Sequence, residues 1–322
     1  MHRLEPTPST TTDVFSRDHA PVLTINPGDQ LVVDSLDAHG FRSPQTTPGE
    51  EQPRMFAAFR GHCLTGPIEV RGSQPGQWLA VRLESLRPGS WGWTNAAAVD
   101  NLVSERMGLT AADKVNLLWA IDADADMART QIGERTFERP TAPFLGVLGT
   151  APAESGEHST IPPRPGSGGN IDCRDLVAGA TLYLPVAVPG ALLYLGDGHA
   201  AQGDGEVSGT AIECPMTTEL TIEVITHPAL TTIHAETPGG LVTFGFDADL
   251  NAAMGDALAA MITWLQQRLD LDRPTALALA STAVDLRITQ IANWTWGVHA
   301  VLPPEVLTPT DSAETARDPV QG

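Results

Sequence analysis

Lysine is almost missing from this chain: of 322 residues Lys114 alone is one, and every other basic residue is Arg. Schiff-base chemistry, phosphate-loop nucleotide hydrolysis and lysine-dependent hydrolytic triads would all have to use it. Lys114 sits in Ala111-Ala112-Asp113-Lys114-Val115, a stretch of helix-like composition with neither a Gly-rich loop nor a nucleophile beside it, and reads as a solvated surface residue. Cysteine is scarce too. Cys63, Cys173 and Cys214 are odd in number and widely spaced, and no Cys-x-x-Cys pair occurs, which excludes a disulfide framework and a Cys-rich zinc cluster. Each thiol reads as a small buried hydrophobe. No run of 18 apolar residues is present to span a bilayer. Met1 to Pro8 has no apolar core of the kind a signal peptide needs, and a reduced, cytoplasmic setting is the expectation. Positive charge is outnumbered 19 to 39, leaving a net charge of −20, which sets the chain against nucleic acid and anionic membrane surfaces.

What is present is a globular composition with short β-like runs. Residues 1–20 are Thr/Ser/Pro-rich and are expected to form a disordered arm. From Pro21 onward, Val22 to Ile25, Gln30 to Leu36, Pro67 to Gly72 and Trp78 to Glu84 alternate apolar and polar residues between Pro-Gly turns, the signature of half-buried antiparallel strands. A second β-rich block starts near Phe144. Ala180 to Val188 and Ala191 to Leu195 flank Pro189-Gly190, a pairing of turn residues that predicts a hairpin. Strands are expected near 207–213 and 218–226. Leu250, Met254, Leu258, Met261, Ile262 and Leu265 share one face of a helix over 247–268, with Asp247 or Asp249 as cap, and a second helix begins at Arg273-Pro274. Residues 303–322 read as a mobile tail. The class expected is α+β, mainly β: an antiparallel sandwich or barrel over 21–142, then a β-rich part over 143–302 carrying two or three helices.

Chemistry concentrates in Gly196-Asp197-Gly198-His199-Ala200-Ala201-Gln202-Gly203-Asp204-Gly205-Glu206. Glycines let the backbone fold tightly and aim side chains inward. Carboxylates gathered so closely repel one another unless a cation or a shared proton compensates, and imidazole with carboxylate suits zinc or another first-row metal. Calcium stays open, although the alternating acids of an EF-hand are absent. A solvated acidic loop is the plain alternative. A second segment, Ser159-Thr160-Ile161-Pro162-Pro163-Arg164 followed by Gly168-Gly169-Asn170-Ile171-Asp172, places Asn170 and Asp172 on one side of an extended backbone. They could orient a small polar substrate, complete a metal site, or merely form an Asx-turn in a Gly-rich loop.

These segments, with Pro143-Phe144-Leu145-Gly146-Val147, Leu64-Thr65-Gly66-Pro67-Ile68, Asp285-Leu286-Arg287-Ile288-Thr289-Gln290 and Gly297-Val298-His299-Ala300, resemble the acetamidase/formamidase family over roughly residues 20–303. The resemblance implies hydrolysis of a small neutral amide, a β-rich fold, a homo-oligomer and a divalent metal, zinc by expectation. It places the metal on Asp172, Asp197 and His199, makes Glu206 the general base, lets Asp204 exchange roles with Glu206 as base or with Asp172 as ligand, and gives Asn170, Gly169 and His62 to the substrate. The segment Asp18-His19-Ala20-Pro21 departs from the family pattern. Trp91-Gly92-Trp93 and Trp294-Thr295-Trp296 are individual, and aromatics at the pocket would admit a larger or cyclic amide, whereas in the core they would not. His62 and His299 read either as pocket residues or as structural histidines. A non-catalytic module using the same acidic loop to hold a metal is the competing reading.

Overall fold

A computed structural model describes residues 1–97 and 102–304. It is built on two large sheets. A nine-stranded sheet runs in the spatial order His2–Leu4, Gln30–Ser35, Met216–Ile225, Trp78–Pro88, Thr181–Pro185, His234–Thr237, Gly240–Asp247, Trp296–Leu302 and Asp285–Gln290. The main path of the eleven-stranded sheet runs Arg135–Pro140, Met127–Ile132, Val115–Asp122, Trp91–Ala96, Glu213–Cys214, Leu193–His199, Phe144–Thr150 and Gly168–Asn170; Leu64–Val70 branches from Leu193–His199 and itself pairs Thr11–Thr12 and Leu23–Ile25. The mainly β architecture with few helices agrees with the class read from the sequence.

Both sheets feed one core. Val33, Leu79, Val81, Leu182 and Ile222 of the first meet Leu145, Leu148, Leu193, Leu195 and Cys214 of the second in a single apolar cluster. The boundary expected between residues 142 and 143 does not separate the sheets, because each contains strands from before and after it. The arm expected over 1–20 is likewise built into the fold. His2–Leu4 pairs with Gln30–Ser35, and Asp13, Val14, Phe15 and Ser16 are buried. Phe15 packs edge-on against Tyr194, whose hydroxyl donates to the Ser16 carbonyl at 2.6 Å. A Thr/Ser/Pro-rich stretch is thus tied down by a few residues, Val14 and Phe15 among them, through tertiary contacts that its composition does not announce. The tail expected over 303–322 lies outside the described residues beyond Pro304.

Other expectations shift in register. The hairpin about Pro189-Gly190 is a crossover: Thr181–Pro185 belongs to the nine-stranded sheet and Leu193–His199 to the other. Gly190, Ala191 and Leu192 all have positive φ, and three consecutive left-handed residues swing the chain between sheets instead of folding it back on one. The strand expected near 207–213 shrinks to Glu213–Cys214, preceded by turns. Lys114 lies between the helix Leu102–Met107 and the strand Val115–Asp122, exposed and outside any helix.

The long helix Leu250–Leu269 starts at Asp249, whose carboxylate accepts from the Asn251 amide, and Arg273–Ala280 starts at Asp272, which caps Thr275. Together they pack Ala253, Ala257, Met261, Ile262, Leu265, Ala276 and Ala280 on Val298, Ala300 and Leu302. The long helix approaches the sheet at Gly245, where an added Cβ would lie 2.0 Å from the Ala253 carbonyl oxygen and 2.8 Å from the Ala257 nitrogen. Backbone on both sides cannot yield as a side chain would. Gly245→Ala is therefore expected to lower stability by about 3 kcal/mol or more, read as a fall in the denaturation midpoint.

Candidate active site

The site forms where Leu193–His199 is sandwiched between Phe144–Thr150 and Glu213–Cys214. His199 stands opposite Phe144 on one side and Glu213 on the other, and Glu213 is opposite Trp93, so these side chains form a row across one face of the sheet. Period-two alternation breaks inside this region. Leu193, Leu195 and then Ala200 enter the core cluster, so the face turns over between 195 and 200. The turning point is Asp197, with φ +60°, and it lets His199 face away from the core.

Asp172 and Glu206 come from loops and also have positive φ, +52° and +43°. Three non-glycine residues in the left-handed region, all acidic and all converging, store backbone strain where side chains must be aimed. The Asp172 loop is held by the Ile171 and Asp172 amides, which donate to the Gly146 carbonyl at 2.9 and 3.2 Å. The Glu206 loop is held by Gly205, whose amide donates to the Thr289 carbonyl at 3.1 Å and whose own carbonyl accepts from Ile291 at 2.9 Å.

Inside, His199 Nε2 lies 3.2 Å from Glu213 Oε2 and 3.5 Å from Asp197 Oδ1. Its Nδ1 is 2.9 Å from Gln202 Oε1, and the Gln202 amide donates to the Asp172 carbonyl at 2.7 Å. With Nδ1–H donating to Gln202, Nε2 is the atom offered to the cluster. Asp172, His199 and Glu206 bring ligand atoms within 4.8 Å of one another, and so do Asp197, His199 and Glu213. The expected trio of Asp172, Asp197 and His199 draws one carboxylate from each group. The floor is Gly146: a Cβ there would lie 2.4 Å from Asp197 Oδ2, 2.7 Å from Asp172 Oδ1 and 2.9 Å from His199 Cε1.

Burial raises the carboxyl pKa of Glu206 well above the usual range, and the neighbouring Asp172 charge adds to it. Asp172 is raised by burial, with His199 opposing. Burial pushes Glu213 up to about 7 against the attraction of His199. Asp197 is the exception, since His62 and then His199 outweigh burial and hold it below the ordinary value. His199 is raised: burial opposes its charge, but Glu213 and Asp197 prevail. Both oxygens of Asp172, Oδ1 of Asp197, Nε2 of His199 and Oε2 of Glu213 are buried without a hydrogen-bond partner. Each such atom costs about 1–3 kcal/mol, more where charged, unless something compensates. An imidazole nitrogen and convergent carboxylate oxygens are a donor set that fits a divalent metal.

The remaining expected residues divide. His62 stands at the edge, with Nε2 3.8 Å from Asp197 Oδ2 and its backbone amide donating to Thr160 Oγ1 at 2.7 Å. Asn170 is buried; its amide donates to the Ile161 carbonyl at 3.0 Å and its Oδ1 has no partner. Gly169, with φ +103° beside Phe15, contributes backbone only. Asp204 is not brought into the cluster. It is exposed and faces Arg174 at 4.0 Å, because the turn at Gly205 sends it and Glu206 in different directions. Glu213 and Gln202 are members that sequence reasoning assigned no role. The signal for Glu213 was a lone acid within the apolar run Ala211-Ile212-Glu213-Cys214.

The profile of the Acetamidase/Formamidase family matches residues 6–158 and 153–238. The chain is 47% identical over 233 residues to a formamidase of Methylophilus methylotrophus, covering 58% of this chain and 57% of the relative. It is 27% identical over 232 residues to a putative formamidase of Schizosaccharomyces pombe, covering 58% and 56%. The matched part thus spans little more than half the length of these curated relatives. Among solved structures, an acetamidase from Bacillus halodurans superposes with a TM-score of 0.81 at 29% identity, covering 94% of this chain and 97% of that one. With a profile that spans most of its length and a solved relative of the same fold, the chain belongs to the Acetamidase/Formamidase family.

Proposed function

We propose that the chain is a metal-dependent hydrolase of short amides, linear or cyclic, releasing a carboxylate and ammonia, or an amino acid from a lactam. One observation carries this reading: the bare ligand-type atoms of Asp172, Asp197, His199 and Glu213 converge in a buried cluster. The imidazole favours zinc over calcium, which takes oxygen ligands. Asp172, Asp197 and His199 hold the ion in this reading, Gln202 steadies the His199 ring through Nδ1, and Glu213 Oε2 stands by as a further carboxylate oxygen 3.2 Å from Nε2. When bound, the ion lowers the pKa of water and polarises the amide carbonyl. Glu206 takes the proton from the attacking water and returns it to the leaving nitrogen; burial and the Asp172 charge raise its carboxyl pKa, which strengthens it as a proton acceptor. Asn170 Oδ1, buried and unpartnered, accepts from the substrate amide. His62 borders the substrate beside Asp197. A neutral substrate suits surroundings this acidic.

Ammonia release from formamide and acetamide, and amino-acid release from small lactams, test the reading. Treatment with a chelator is expected to lower turnover by more than about 100-fold and zinc to restore it. Full turnover in metal-free protein overturns metal dependence. Metal-loaded protein that hydrolyses none of these amides, and loses thermal stability on chelation, supports the structural module instead.

A further inference from the structure

A second group of ligand-type side chains lies where the loop after Asp172 meets the strand Trp296–Leu302. Cys173 Sγ, a carboxylate oxygen of Asp175 and a ring nitrogen of His299 come within 4.8 Å of one another. Cys173 and His299 are fully buried, whereas Asp175 keeps 19% of its side chain exposed. The His299 ring is oriented by Thr289, whose Oγ1 is 2.8 Å from Nδ1. Its Nε2, 3.7 Å from Asp175 Oδ2, is buried with no hydrogen-bond partner. With Nδ1–H donating to Thr289, Nε2 presents a bare lone pair to Cys173 and Asp175.

A cation here competes with Arg287, whose Nη1 donates to Asp175 Oδ2, the oxygen that lies 3.7 Å from His299 Nε2. Arg287 lies 3.3 Å from Asp175 but also 3.6 Å from Asp285, and Arg174 lies 4.0 Å from Asp204. Each guanidinium has a carboxylate other than Asp175. A Cys173 thiolate and the Asp175 carboxylate then supply the two negative charges that balance a divalent ion.

We propose that Cys173, Asp175 and His299 form a second metal site, separate from the carboxylate cluster, for a borderline-soft divalent ion of the zinc class. Thiolate, imidazole and carboxylate are the three ligand types zinc uses, and a thiolate disfavours calcium and magnesium. Binding replaces the Cys173 S–H bond by a sulfur–metal bond, the proton passes to solvent, and no electron is transferred. Water completes the coordination from the exposed side of Asp175. The ion ties the loop that begins at Asp172 to the strand that carries His299, so its role is structural.

Titration of chelator-stripped full-length protein with cobalt(II) tests the site. A thiolate bound to cobalt gives a near-ultraviolet charge-transfer absorption, and the carboxylate cluster contains no sulfur ligand that could produce it. The band is expected in the wild type, in Cys63→Ser and in Cys214→Ser, and is expected to vanish in Cys173→Ser. His299→Gln keeps the thiol and is expected to weaken the cobalt affinity read from the band by more than about tenfold. If Cys173→Ser fails to fold by circular dichroism, the His299→Gln titration decides. Absence of the band in the wild type, its survival in folded Cys173→Ser, or unchanged affinity in His299→Gln overturns the proposal. The readout is sulfur absorption, so it stands or falls separately from amide turnover.

Discussion

Replacing Glu206 by Gln is expected to lower kcat on the best amide substrate by about 10²–10⁴-fold while leaving KM, metal content and melting temperature near wild type. The substitution keeps shape and volume and removes only the capacity to take up and release a proton. The backbone around it is fixed independently of the carboxyl. The Glu206 amide donates to Gly203 at 3.2 Å, its carbonyl accepts from Gly209 at 2.8 Å, and Gly205 is bonded to the edge strand. An amide is also easier to bury than a carboxylate, so the loop has no electrostatic reason to move. Removing a proton carrier appears in kcat and kcat/KM together, because the lost interaction exists only in the transition state. The same variant separates the two parts Glu206 could play, since it also lies within ligand distance of Asp172 and His199. Metal content by atomic spectroscopy, compared with wild type, decides: unchanged content with lost turnover makes Glu206 the base, and a loss of metal relative to wild type makes it a ligand.

Much of this arrangement was legible in local sequence, and what escaped did so for physical reasons. Asp197, His199 and Glu206 stand in one Gly-rich segment that composition marked, whereas Asp172 follows a Gly-rich turn that also reads as a plain loop, and only the family resemblance singled it out. Asp204 belongs to the same segment yet points to Arg174, because one positive-φ glycine at 205 redirects the chain, and such a reversal is invisible in residue types. Glu213 meets His199 only through antiparallel register, a relation between strands that a single segment cannot express. Fold class followed from alternation and turns, whereas strand order did not. The Pro189-Gly190 turn is compatible with a hairpin or a crossover, and the partners of Thr181–Pro185 and Leu193–His199 in opposite sheets decide between them. The buried arm shows the same limit: Phe15 and Tyr194 are 179 positions apart (194 − 15), and their contact is what orders residues that read as mobile.

Gly146→Ala is expected to abolish metal binding at the carboxylate cluster and to leave amide turnover below about 1% of wild type, at a cost of about 1–3 kcal/mol in stability. A methyl group there occupies the space onto which the Asp172 and Asp197 carboxylates open, 2.4 Å from one oxygen and 2.7 Å from another. Flexible surface acids would swing aside; these cannot. Asp197 is in a central strand between Leu145–Gly198 and Val147–Gly196 pairings, and Asp172 is bonded through its backbone to Gly146 itself. Moving Asp197 also disturbs His199 and His62, which approach it at 3.5 and 3.8 Å. The methyl therefore displaces the carboxylates from their common focus without removing any of them. Gly255→Ala is the matched control. It lies on the long helix with open space where a Cβ would go, so the same chemical change is expected to leave activity intact and to raise stability by up to about 1 kcal/mol through helix propensity. Metal content, ammonia release and denaturant midpoints on the two variants measure all of this together. A Gly146→Ala protein that binds metal and turns over amide at the wild-type rate would show that the two carboxylates do not act on a shared centre above that glycine.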